Sequence, residues 1–151
     1  MIAIVAIIAV VAAARLTRSG FDTRAAFDQL LAQVSYARRT AIAQRRAVCV
    51  HLAASTSVLR YDDNTPNTCN AASTGVASPT GAVPFTFDAS GAGATFAPAG
   101  VFRFDGLGRY RTAAGADPGA SLLVSVTGDG TFRFCVDRES GYAYPVAAAC
   151  P

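Results

Sequence analysis

The chain has 151 residues, 52% of them hydrophobic, with thirteen basic residues, ten acids, one histidine and four cysteines. Once the N-terminal arm, the apolar run and the amphipathic stretch after it to about residue 46, is set aside, about 105 residues remain, enough for one small domain and too few for two. The net charge of +3 is divided unevenly: seven arginines face two acids over residues 15–46, and six face eight over 47–151, so the basic surplus belongs to the N-terminal part and not to the rest.

Residues 1–14 (MIAIVAIIAVVAAA) carry no polar side chain. As a helix they reach ~21 Å, short of the ~30 Å hydrocarbon core of a bilayer. A helix in the core of a soluble domain keeps one polar face, and this run is apolar all round. A secretory signal places its basic residues before the apolar run, whereas Arg15 and Arg18 follow it. The remaining reading is a membrane-helix fragment, or a helix buried by partners. Ser19-Gly20-Phe21-Asp22 then predicts a bend or a local interruption, with Asp22 as a fresh N-cap. Beyond it, Phe27, Leu30, Leu31, Val34, Ala37, Ala41 and Ile42 share one helical face, while Arg24, Asp28, Gln33, Ser35, Arg39 and Arg46 fall mostly on the others. One helix is therefore expected to about Ala47, apolar all round at its start and one-sided at its end. Its arginines suit anionic lipid headgroups or acidic neighbours.

From Val48 the period changes to two. Val48–Leu52 and Val58–Tyr61 read as a hairpin across residues 53–57, and residues 62–80 as a loop. Short strands are predicted at 83–87, 94–96, 101–104 and 109–111. Residues 121–127 and 131–136 alternate around Gly128-Asp129-Gly130, the chemistry of a tight hairpin turn, and a last strand is predicted at 142–146. A helix followed by a run of strands gives an α+β fold, with one antiparallel sheet packed on the helix.

Cys49, Cys69, Cys135 and Cys150 lack the close spacing of metal or redox sites, and His51 alone does not complete a zinc set. Beside an anchor-like segment they read as disulfides of an oxidising compartment. Of three possible pairings, Cys49 with Cys69 and Cys135 with Cys150 is favoured, because each closes a short loop of small and turn-forming residues. No catalytic constellation emerges: His51 sits in an alternating strand, the acids are scattered over loops, and the Gly-x-Gly runs lack a following helix. No cofactor is expected. Arg109 and Arg111 flank Tyr110, with Arg103 nearby, a pattern able to grip phosphate while the ring stacks, although a solvated strand end is the preferred reading.

The residues 27–46 (FDQLLAQVSYARRTAIAQRR) resemble the stem-to-head helix of the type IV pilin-like proteins, within them the GspH/FimT family of minor pilins and type II secretion pseudopilins. Phe104-Asp105-Gly106-Leu107-Gly108-Arg109 resembles a turn of such heads. Ser140-Gly141-Tyr142 is similar to the closing strand of the mannose-sensitive haemagglutinin pilus member, MshC. The resemblance implies a non-enzymatic subunit, with residues 1–20 as the hydrophobic membrane or filament-core segment and 21–151 as the head with its amphipathic helix. It implies a single-pass inner-membrane protein with its head in the periplasm, other pilin or pseudopilin subunits as partners, inner membrane lipid around the anchor, and processing and methylation by a prepilin peptidase. A branch of the family takes up DNA through a Gly-Arg-x-Arg motif in its C-terminal strands. Here Gly108-Arg109-Tyr110-Arg111 stands earlier, and the later strand reads Gly130-Thr131-Phe132-Arg133, so a nucleic-acid partner, if any, is expected at Arg109, Arg111 and Arg133.

The family's processing motif, a Gly before Phe-Thr-Leu with a Glu at the fifth mature position, would fall just upstream of Met1 when residues 2–14 are set on the usual apolar run. The native gene is therefore expected to encode, in frame before Met1, a short basic leader followed by Gly, Phe-Thr-Leu and Glu. Genomic sequence reads this directly, and a stop codon immediately before Met1 would refute it.

Overall fold

The computed structural model describes residues 19–63 and 68–151. Helix α1 (Ser19–Gln44) is followed by β1 (Val48–Leu52), β2 (Thr56–Tyr61), β3 (Thr86–Asp88), β4 (Thr95–Ala97), β5 (Gly100–Phe104), β6 (Tyr110–Thr112), β7 (Leu122–Thr127), β8 (Thr131–Val136) and β9 (Ala143–Val146). The run Met1–Ala14 lies outside the described residues. Among those described, no helix is long and apolar enough to cross a membrane. Helix α1 is already formed at Ser19, so Ser19-Gly20-Phe21-Asp22 does not interrupt it, and Asp22 lies in its first turn and not at a fresh cap.

The buried stripe of α1 is Thr23, Phe27, Leu30, Val34, Ala37 and Ala41, spaced three or four residues apart and closed to solvent. Two positions depart from the expected faces. Gln33, placed by periodicity on the polar side, is buried, and its Nε2 donates to the carbonyls of Ser57 (3.4 Å) and Phe85 (3.1 Å). Ile42, placed on the apolar side, is 41% exposed, because the last turn of the helix reaches only the β5–β6 turn, where its side chain lies against Gly108.

The strands form two antiparallel sheets rather than one, in the orders β3-β2-β1-β5-β6 and β4-β7-β8-β9. In the first, Val48, Val50 and Leu52 of β1 face the helix beside Leu59 of β2 and Phe102 and Phe104 of β5. In the second, Val124, Val126, Phe134 and Val136 do the same. Both inner faces and the helix enclose a single core. The Phe27 ring meets Phe132 and Phe134 at 5.7 and 5.9 Å between centroids, while Leu30 and Val34 complete the stripe that both sheets cover. Strand β3 begins at Thr86, later than the pattern suggests, because Pro84 has no N–H for a ladder and Phe85 is held by its backbone to Val76 and Leu59.

The helix ends in a left-handed cap. Arg45 takes φ 49°, the Arg46 N–H reaches the Ala41 carbonyl (3.2 Å) and the Arg45 N–H reaches Ile42 (3.3 Å), the paired bonds of a Schellman motif without its usual glycine. The turn between β5 and β6 packs on this end. Gly108 (φ +80°) leaves no room for a side chain, since an added Cβ would lie 2.6 Å from the Ile42 Cδ1. Gly141 (φ +65°) is equally confined, because an added Cβ would run into the carbonyl oxygen of Gly108.

Disulfides join Cys49 to Cys69 and Cys135 to Cys150. Each pins an irregular segment onto the outer face of one sheet: the residues around Cys69 on the first, the C-terminal residues on the second. In a head of this size such crosslinks stabilise by ~2–4 kcal/mol each.

Because Phe27 fills the space between the helix and the second sheet, Phe27→Ala should cost about 3–5 kcal/mol. Urea unfolding with both disulfides intact checks this. A loss below about 1 kcal/mol would mean that the core does not rest on that ring.

Candidate functional site

The outer face of the first sheet carries a row of long side chains fixed by register: Arg60 opposite Cys49, Cys49 opposite Arg103, and Arg103 opposite Arg111. Guanidinium groups side by side on one face repel unless carboxylates intervene, and Asp62 and Asp105 do so. Asp62, its side chain 1% exposed, pairs with Arg103, and its other oxygen accepts the N–H of Cys69 at 3.4 Å. One carboxylate thus ties the disulfide-bearing loop to β5. Arg138 forms a two-pronged pair with Asp117 (2.7 and 2.6 Å) and also approaches Glu139 (3.5 Å), tying the 113–121 loop to the end of β8.

Asp105 organises the β5–β6 turn. It accepts the N–H groups of Leu107 and Arg109 at 2.9 Å each, pairs with the Arg109 Nε at 2.8 Å and lies 3.5 Å from the Arg111 Nε. Burial raises its pKa, yet the hydrogen bonds from Arg109 and Leu107 and the charge of Arg109 outweigh that, and the carboxyl is held below its ordinary value. Arg109 and Arg111 are therefore brought together, as their spacing suggests, around a shared counter-charge. Arg133 lies in the second sheet, on β8, where it donates to the Ala147 carbonyl at 3.3 Å.

Cys49, Asp62 and Cys69 lie within metal-ligand distance of one another, but both sulfurs are spent on the disulfide. His51 faces outward from β1, and its pKa is lowered, first by desolvation and then by the Arg60 charge. It is thus neutral at physiological pH. Its Nε2 has no hydrogen-bond partner among the described residues.

The outward face of α1 is the other candidate. Ala25, Asp28, Gln29, Ala32, Arg39 and Ala43 are exposed on it. Two grooves flank it. One, about 340 Å³, runs between Leu31, Ser35 and Arg38 of the helix and Tyr142 and Pro145 of the β9 side. The other, about 470 Å³ and mostly apolar, runs between Gln29, Gln33 and Tyr36 and the Phe85–Phe87 segment. Their walls are fixed: Arg38 donates to the Ser140 carbonyl (2.8 Å), Tyr142 stacks on Tyr144, and Tyr36 donates to Ala77 (2.9 Å) while its ring meets Phe85 edge-on. Periodicity identifies this outward face but not the grooves, which need strands brought from 40 to 110 residues away.

No protein-family model matches the chain, and no curated protein matches it. Among solved structures the fold is similar to that of the type IV minor pilin FimU of Pseudomonas aeruginosa (strain PAO1) in two crystal forms. In the P21 form the likeness covers 87% of this chain and 92% of that one, with a TM-score of 0.57 and 16% identity. In the P65 form it covers 82% and 92%, with a TM-score of 0.53 and 16% identity. At that identity the likeness establishes the fold, a type IV pilin-like helix on antiparallel sheets.

Asp105→Asn should destabilise the head by about 1–3 kcal/mol at neutral pH, since the turn loses a charged acceptor and two arginines lose their partner. The folded pKa is depressed, so the stability Asp105 contributes is present above its unfolded value near ~3.9 and is lost as pH falls through the folded value. The gap between the two proteins in urea midpoint should accordingly narrow below about pH 4. A gap that stays constant or widens on acidification would refute this account.

Proposed function

We propose that the chain is a non-enzymatic subunit of a type IV pilus or of a type II secretion pseudopilus, a minor pilin or pseudopilin of the GspH/FimT kind. Residues 1–20 hold it in the bacterial inner membrane and later in the filament core, and residues 21–151 form a periplasmic head. The observation that carries the reading is the fold it shares with FimU, together with an apolar run placed directly before the helix that both sheets grip. The two disulfides fit the oxidising periplasm. Partners on this reading are other pilin or pseudopilin subunits, inner-membrane lipid around residues 1–14, and a prepilin peptidase acting on the full precursor. Arg109 and Arg111 share the charge of Asp105 and Arg133 stands on the other sheet, so these three do not line one track for a nucleic-acid partner.

In a host carrying the cognate filament machinery and lacking its own copy, the precursor should appear in the sheared filament fraction. Removal of residues 1–14 should abolish incorporation while the head keeps its disulfides and its cooperative melt. Recovery of that truncated head in filaments at the full-length level would overturn the reading, as would absence of the full-length protein from filaments that otherwise form.

A further inference from the structure

At the C-terminal end of α1, the last helical turn and the β5–β6 turn enclose a wide hollow of about 790 Å³, lined by Ile42, Arg45, Asp105, Gly106, Leu107 and Arg109. Leu107 is 70% exposed, although the turn that carries it is rigid: Asp105 holds the N–H groups of Leu107 and Arg109, and the Gly108 N–H reaches the Asp105 carbonyl at 2.8 Å. A large apolar side chain is thus held in water, beside the half-exposed Ile42, by a turn that cannot fold it away. Arg45 sits in the left-handed conformation that glycine takes without strain. Its exposed side chain has no ion-pair partner among the described residues. Asp105 is the one carboxylate among the lining residues, and Arg109 and Arg111 already share it.

We propose that this hollow docks an acidic polypeptide segment that carries aliphatic or aromatic side chains and belongs to a different protein. Leu107 and Ile42 meet the apolar side chains, while Arg45, with Arg109 at the rim, faces the carboxylates. The positive surplus exceeds the roughly half negative charge that the helix end contributes. An apolar centre with a charged rim is the anatomy of a protein–protein interface. The fixed turn presents Leu107 in one position, so little conformational freedom is lost on docking. A nucleic-acid backbone suits the hollow less, because it offers no apolar group to Leu107 and Ile42 and its phosphates would meet the charge of Asp105. A second copy of the chain offers few free acids, since Asp28, Asp62, Asp105, Asp117 and Glu139 are paired with arginines of their own chain. Anionic lipid is excluded by position: the 26 residues of α1 span ~39 Å, and the membrane holds the other end. That exclusion alone rests on the subunit reading above.

The full-length chain in uncharged detergent micelles should bind a labelled peptide of glutamates around a Leu-x-x-Phe core, and should bind its glutamine counterpart about tenfold more weakly. Leu107→Ser should lower the affinity about tenfold with no change in urea midpoint. Arg45→Gly separates recognition from folding. It should raise the urea midpoint, because glycine relieves the left-handed residue, while it weakens the peptide several-fold and flattens the salt dependence. Arg133→Ala, on the other sheet, should leave binding at the wild-type level. The proposal is overturned if the glutamate peptide binds no better than the glutamine one, or if Leu107→Ser binds like wild type. It is equally overturned if Arg133→Ala weakens binding as much as Arg45→Gly, the mark of diffuse charge attraction. A DNA oligonucleotide that binds more tightly than the peptide and is lost in Arg45→Gly would overturn it in favour of nucleic acid, and self-association of the full chain that Leu107→Ser abolishes would do so in favour of a second copy. None of these outcomes bears on the subunit reading, which filament entry tests separately.

Discussion

Everything in the head depends on one helix face being shared by two sheets. Neither sheet has enough apolar surface to close on itself, and Phe27, Leu30, Val34, Ala37 and Ala41 supply what both lack. Small residues, Ala37 and Ala41, hold the C-terminal end of that stripe, and the ring of Phe27 packs at its other end on Phe132 and Phe134 of the second sheet. The helix therefore cannot be removed without leaving two open β faces. That is why an otherwise modest amphipathic segment is the organising element of the chain.

Most of this local plan was legible from pattern alone. Strand β1 is a clean alternation that the structure reproduces at Val48–Leu52, and β7 and β8 meet around the glycine-rich turn their sequence requires. What pattern did not reveal is the partition into two sheets. Strand β1 pairs with β5, Val50 opposite Phe102, and about fifty intervening residues carry no local mark of that choice. Gln33 illustrates a second limit. A single polar residue inside an apolar environment is invisible to periodicity, yet two carbonyls from different segments, Ser57 and Phe85, give its amide a reason to be buried. Ile42 fails in the opposite sense, because periodicity does not know where a sheet stops.

The charged residues divide into those that tie the head together and those left facing outward. Asp62, Asp105 and Asp117 each meet an arginine from a segment that would otherwise be held only by loops. In sequence the Arg109-Tyr110-Arg111 pair looks like a cationic grip; in space both guanidinium groups are held to the turn by Asp105, 2.8 Å from Arg109 and 3.5 Å from Arg111. Spacing along the chain signals Asp105 with Arg109 as an i, i+4 pair, but not Asp62 with Arg103, forty-one residues apart. Arg38 and Arg39, two of the seven arginines that make residues 15–46 basic, line the groove beside Tyr142, where Arg38 donates to the Ser140 carbonyl.

The central place of β1 in its sheet has a mechanical meaning. Strand β1 follows the helix after a three-residue link and is hydrogen-bonded on both sides, to β2 and to β5. Tension entering at the N-terminal end of α1 passes along the helix and arrives at a strand that cannot be peeled from an edge. To draw it out, two ladders must give way together, while the helix side chains must slide out of both sheets in the same event. A pull on this chain is thus met by many weak bonds loaded in parallel, the arrangement in which a small domain resists force far better than its equilibrium stability would suggest.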